Sequence, residues 1–224
     1  MSLITVSKIQ KETSSTNIDV PSTGQFIDLA SAAQGDVLYY NGTSYVRLAP
    51  GTSGQVLTSG GAGANPSWAA AGITHVSSWG QTAAQTGSKN PITADLALRT
   101  TAGQGNLGDA MTVDTGVFTF PSTGFWQVLC MFTFNRAAAD SLAGGFIKST
   151  TDNGSSWTIV AAGYQPLISS GTYGSTSCSA ILDITDTSNN KVSFQTSHDN
   201  AGNTTTGNAN GSQTSFTFIR LADT

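Results

Sequence analysis

The run from Phe125 to Phe134, FWQVLCMFTF, constrains the fold more than any other stretch of this chain. Successive side chains of a strand point to opposite faces. Trp126, Val128, Cys130, Phe132 and Phe134 therefore share one face, and Gln127, Leu129, Met131 and Thr133 the other. Both faces are largely apolar. A central strand of a two-sheet sandwich reads this way when its partner sheet covers one side and a neighbouring subunit the other.

Further short apolar runs, Val117 to Phe120, Ile181 to Ile184, Val192 to Phe194 and Phe216 to Leu221, are bounded by Gly, Asn, Asp and Pro and predict more strands. The stretch nearest to a helical pattern, Ala94 to Thr101, is short and partly β-branched, and no segment carries a helical stripe. The predicted class is all-β. Residues 1–34 have scattered apolar side chains without a sustained period and order only against something else. Residues 35–71 hold two echoing units, one beginning GDVL at Gly35 with a later Tyr45, the other GQVL at Gly54 with a later Trp68. Each is too small to stand alone. They read either as a shaft, in which three copies wound about one axis bury Leu38, Leu48, Leu57 and Trp68, or as a structured linker in a monomer. Residues 72–224 form the one sizeable domain.

Only 10% of the 224 residues are charged, against roughly 25% in an ordinary soluble domain. Hydroxyls and amides solvate the surface, which is therefore insensitive to salt and pH. The net charge of -4, with no run of Lys or Arg, gives no footprint for nucleic acid or an anionic membrane. The first twenty residues lack the apolar core of a secretory signal, and no window approaches the ~18 apolar residues of a membrane span. A cytoplasmic product with an extracellular kind of surface fits a virus structural protein released by lysis.

Chemistry is sparse. His75, placed in the first strand, and His198, in a late loop, have no metal-ligand spacing, so neither metal nor cofactor is expected. Glycoside hydrolysis needs two carboxylates about 5 to 10 Å apart. Asp140, Asp152, Asp183, Asp186 and Asp199 are the available groups, and each sits in a turn or loop signal.

The segment DTGVFTFPSTGFWQVLCMFTFN, Asp114 to Asn135, resembles the C1q and tumour-necrosis-factor-like jelly rolls, in which a strand, a Pro-containing turn, Gly and an aromatic precede a long core strand. STTDNGSSW at Ser149 to Trp157, LDITDTSNNKVSF at Leu182 to Phe194 and TSFTFIRL at Thr214 to Leu221 follow in the family's order. Asn189-Asn190 stands where the family usually has Gly-Asp, so no calcium or ligand role carries over. Separately, GDVLYYNGTSYVRLAPGTSGQVLTSGGAGANPSW resembles repeats of bacteriophage tail-fibre proteins. Together the resemblances imply an antiparallel jelly-roll knob behind a short β-rich shaft and an extended N-terminal arm, assembled as a homotrimer on a virion. In that jelly roll the strands of Cys130 and Cys178 are sheet neighbours, whereas a cytoplasmic origin argues against a disulfide.

Arm residues Leu3, Ile4, Val6, Ile9, Ile18, Val20, Phe26 and Ile27 are the expected docking contacts with other virion proteins. In the jelly roll, loops 135–143, 163–175 and 198–212 project together at the end away from the shaft, and the short turns 121–124, 151–156 and 186–190 lie near it. Long loops on a rigid scaffold carry binding residues. Arg136, Asp140, Tyr164, Tyr173, His198, Asp199 and Asn203 are thus the expected contacts to a host-surface glycan or protein. A capsid decoration and a capsule depolymerase are the alternative functions.

Overall fold

The computed structural model describes residues 31–100, 103–137, 142–166 and 171–224, with the backbone of Ile9–Gln10 and Asn17–Ile18. Of the expected docking residues, Leu3, Ile4, Val6, Val20, Phe26 and Ile27 lie outside the described residues. The chain divides into two compact units, Met1–Gly72 and Ile73–Thr224.

Among its described residues the first unit holds three two-stranded ladders. Strand β1 (Ile9–Gln10) pairs antiparallel with β2 (Asn17–Ile18), setting Ile9 opposite Ile18. The two echoing sequence units are two hairpins, β3 (Val37–Tyr40) with β4 (Tyr45–Leu48) and β5 (Gln55–Thr58) with β6 (Ser67–Ala70). Asn41 shapes the first turn, because its Oδ1 accepts the N–H groups of Thr43 and Ser44 at 2.9 Å each. Trp68 ties the second hairpin to the end of the first by donating its indole N–H to the Ala49 carbonyl at 2.7 Å. Gly51 is required beneath that indole, since a Cβ there would stand 2.7 Å from the ring. Apolar surface remains uncovered: Tyr40, Tyr45, Val56 and Leu57 are all exposed.

The second unit is a sandwich of antiparallel sheets. Its strands are β7 (Val76–Gln81), β8 (Gln85–Thr86), β9 (Leu96–Leu98), β10 (Thr112–Asp114), β11 (Val117–Thr119), β12 (Gly124–Asn135), β13 (Ala143–Thr150), β14 (Thr158–Gln165), β15 (Tyr173–Ile184), β16 (Lys191–His198), β17 (Thr204–Thr205) and β18 (Ser215–Ala222). One sheet runs β10-β11-β16-β13-β14. The other is centred on β12, with β15 along one edge and β18 followed by β17 along the other, and extends through β7 to β9.

The long core strand behaves as its alternation demands. Trp126, Val128, Cys130, Phe132 and Phe134 are buried between the sheets, while Phe125 and Met131 are exposed and Leu129 half-buried on the outward face. Phe118, Phe120, Phe194, Phe216 and Phe218 complete an aromatic core, in which Phe194 and Phe216 stack 3.8 Å apart across the two sheets. Gly145 lets β13 cross this core, because a Cβ there would come within 2.1 Å of the Phe132 ring.

In keeping with the all-β reading, the stretch nearest to helical holds β9, paired with β7. Two other features differ from the expectation. His75 precedes the first strand of the domain instead of lying in it, and its ring packs 5.8 Å from Trp126. The loop expected over 163–175 contracts to 166–172, because β14 runs on to Gln165 and β15 begins at Tyr173.

Candidate binding surface

Register alone sets the two ends of the sandwich. Asn135 lies opposite Tyr173 and Thr204, and Ala143 opposite Gln165 and His198, so the connections 136–142, 166–172 and 199–214 leave from one end. Gly124 lies opposite Ile184, Thr150 opposite Lys191 and Ser149 opposite Thr158, which puts the turns 120–123, 151–157 and 185–190 at the other. Strand β7 enters at this turn end, with Val76 paired to Ile219. The long connections form an apex opposite the point where the chain enters the domain.

Hydrogen bonds tie the described parts of these connections together. Arg136 N donates to the Thr172 carbonyl at 3.0 Å, and Gly171 N returns a bond to the Arg136 carbonyl at 2.7 Å. Asn203 is fully buried, and its Oδ1 accepts the Ala137 N–H at 2.9 Å. His198 is the buried last residue of β16, its ring edge-on to Phe134 at 5.2 Å and its Nε2 3.1 Å from Thr205 Oγ1. His198 and Asn203 therefore build the apex from within and present no side chain for contact. Tyr164 and Tyr173 stand on β14 and β15, both exposed, beside the seam where these two edge strands meet. The seam is tight: a Cβ on Gly163 would meet Thr176 Oγ1 at 2.6 Å. Arg136 is half-buried and Asp199 exposed, and Asp140 lies outside the described residues.

Sequence reasoning missed the groups that brace the longest apical loop. Arg99 is 3% exposed and donates to the carbonyls of Gln81 and Ala209 at 3.0 Å each. Gln81, fully buried, donates to the carbonyls of Ala83 and Thr205. Such long-range satisfaction of loop carbonyls leaves no local pattern. An arginine in a chain this poor in charge is the signal that was there to find.

The carboxylates at the turn end serve their own turns. Asp152 accepts from Ser156 Oγ at 2.6 Å, Thr150 Oγ1 at 2.5 Å and Ser156 N at 2.9 Å, which hold its carboxyl down at about 2. Asp186 is held below the usual range by the N–H of Ser188 and the amide of Asn189. A carboxyl held below its unfolded value near 3.8 supports the fold at higher pH and loses that support as pH falls toward 2. Denaturation across a pH series should show constant stability down to about pH 4 and a decline from there to about pH 2. Asp152→Asn should flatten that decline, and an unchanged slope would mean that these bonds do not hold the turn.

Cys130 and Cys178 lie directly opposite each other on β12 and β15, their sulfurs 3.2 Å apart, and both are free thiols. The bond to Cys178, together with burial, pushes the Cys130 thiol well above its ordinary value.

A five-stranded antiparallel layer ordered β10-β11-β16-β13-β14 faces a seven-stranded one that runs β15-β12-β18-β7-β9, with β17 and β8 continuing beside β12, and the two form a C1q/TNF-like jelly roll. No family model matches the chain, and no curated protein matches it. Among solved structures, Eiger TNF from S. frugiperda superposes with a TM-score of 0.53 at 12% identity, over 69% of this chain and 96% of that one. Murine APRIL at pH 8.5 is also similar, with a TM-score of 0.48 at 10% identity, over 66% of this chain and 99% of that one.

Proposed function

We propose that this chain is a non-enzymatic structural protein of a phage particle, a homotrimer whose N-terminal arm seats on the virion and whose jelly-roll knob adheres to the host surface. The observation that carries the assembly is the outward face of β12 and β15. Phe125, Met131 and Ile181 are exposed there and Leu129 is half-buried, with Asp183 as the charged group at the turn end. A solvent-facing sheet does not keep such a stripe. Ile159 and Val160 on the edge strand β14 supply a second exposed apolar surface, and a closed ring needs two complementary patches. The exposed Tyr40, Tyr45, Val56 and Leu57 of the two hairpins raise the same need for symmetry mates.

The likeness of residues 35–68 to phage fibre repeats, and a surface solvated by hydroxyls and amides, support the virion setting. Commitment of Asp152 and Asp186 to their turns supports a role without catalysis. Capsid decoration by the same trimer is the second reading. An antibody raised against residues 72–224 should label intact virions. Label at the tail supports the adhesive fibre, label over the head the decoration, and unlabelled virions overturn both.

At the apex, Tyr164→Ala combined with Tyr173→Ala should weaken host adsorption while trimer mass and melting temperature hold. Three copies multiply weak contacts by avidity, so the expected loss exceeds that of either single change. Wild-type adsorption by the double variant would remove these tyrosines from the contact surface.

A further inference from the structure

The outer face of the β10-β11-β16-β13-β14 sheet carries a second feature. Val117 pairs with Ser193 and Ser193 with Lys148, so the three stand in one row across β11, β16 and β13. A pocket of about 290 Å³ opens over this row, closed at its sides by Asn90, Pro91 and Trp157.

Each wall is held by rigid structure. The strap carrying Asn90 is pinned to β16 by reciprocal bonds between Lys89 and Thr196 at 3.1 and 2.9 Å, and by Ile92 N to the Phe194 carbonyl at 2.8 Å. Ile92 anchors it, 1% exposed. Trp157 follows the turn that Asp152 fastens through Thr150 and Ser156. Gly154, at φ +89°, brings that turn against the indole. Sites built on fixed elements recognise ligands without an ordering cost.

Lys148 gives the pocket its chemistry. Its Nζ donates to Asn90 Oδ1 at 2.9 Å and lies 6.0 Å from the centre of the Trp157 ring. Among the described residues it forms no ion pair. An ammonium has three donors, and the amide uses one. The ring contact is at the outer limit of cation–π reach, so the charge is free to meet an anion. An indole face accepts the axial C–H groups of a pyranose chair, an ammonium pairs with a carboxylate, and the volume is near the ~300 Å³ lower bound for small-ligand sites.

We propose that this pocket binds one acidic sugar residue, a hexuronate, with its ring against Trp157 and its carboxylate on Lys148. The site is separate from the apex and its occupancy is independent of the phage reading.

The test is titration of the full-length protein with D-glucuronate, D-glucose, acetate and inorganic phosphate, followed by NMR at the Trp157 indole N–H, assigned with Trp157→Phe. Glucuronate should give a saturable shift in the millimolar range and glucose one about tenfold weaker, the loss of one charge-assisted bond. Lys148→Met should erase that preference. Asn90→Asp, which hands Lys148 an internal carboxylate, should weaken glucuronate on the order of tenfold with the melting temperature retained. Absence of a saturable shift, equal shifts from acetate or phosphate, or undiminished glucuronate binding by Lys148→Met would each overturn the proposal.

Discussion

Phe118→Ala is expected to remove about 4 to 5 kcal/mol of stability, the upper part of the range for a buried phenylalanine. Phe118 is fully buried on β11 and meets rings of both sheets: Trp79 edge-on at 5.4 Å and Phe218 at 5.2 Å from one, Phe194 edge-on at 5.5 Å from the other. Deleting it empties a ring-sized space between two rigid layers that cannot close over it. It also forfeits aromatic pairs worth roughly 0.5 to 1.5 kcal/mol each beyond area. For a protein of this length the melting temperature should fall by roughly 10 to 15 °C. Trp126→Ala should cost about 3 to 5 kcal/mol by the same mechanism, since Trp126 is 1% exposed and packs on Phe120 at 5.3 Å. Leu142→Ala, 40% exposed, is the control and should change stability by less than about 0.5 kcal/mol. Chemical denaturation at fixed protein concentration separates these outcomes, because the proposed association would add to the apparent stability. A loss near 1 kcal/mol for Phe118→Ala would mean that the two sheets do not close on this ring.

The same residues show what a sequence discloses. Strands β11, β12, β16 and β18 were legible because large apolar side chains alternate along them, and period two is a direct consequence of strand geometry. Strand β13 opens Ala-Gly-Gly, and β15 opens with the small and polar residues of YGSTSCSA, so these stretches, unlike the Ile181 to Ile184 end of β15, carry the composition of a loop. Their strand state is imposed by neighbours: Gly145 is small because Phe132 lies over it, and β15 follows β12 residue by residue from Asn135 to Gly124. The positions of the three apical connections followed from strand order. Which of their side chains face solvent did not: His198 and Asn203 have the composition of contact residues and the burial of core. The Asn90, Lys148 and Trp157 pocket joins positions up to 67 residues apart and has no sequence signature at all.

Leu129→Asp combined with Met131→Asp should convert the proposed trimer to a folded monomer. Both side chains project from the face of β12 away from the core, Leu129 half-buried and Met131 37% exposed, so neither substitution touches the aromatic centre. In a monomer the added carboxylates would stay in water at little cost. In a trimer they would stand opposite an apolar surface, and a buried carboxylate without a partner costs several kcal/mol. Threefold closure presents that cost at every interface, so the expected shift in association exceeds a thousandfold, about 4 kcal/mol at ~1.4 kcal/mol per factor of ten. Sedimentation should then report one third of the wild-type mass, with the core melting cooperatively. A parent protein that is already monomeric would refute the trimer. A double variant that keeps its assembled mass would move the interface off this face, leaving the exposed Ile159 and Val160 of β14 and the two hairpins as the surfaces that hold the subunits together.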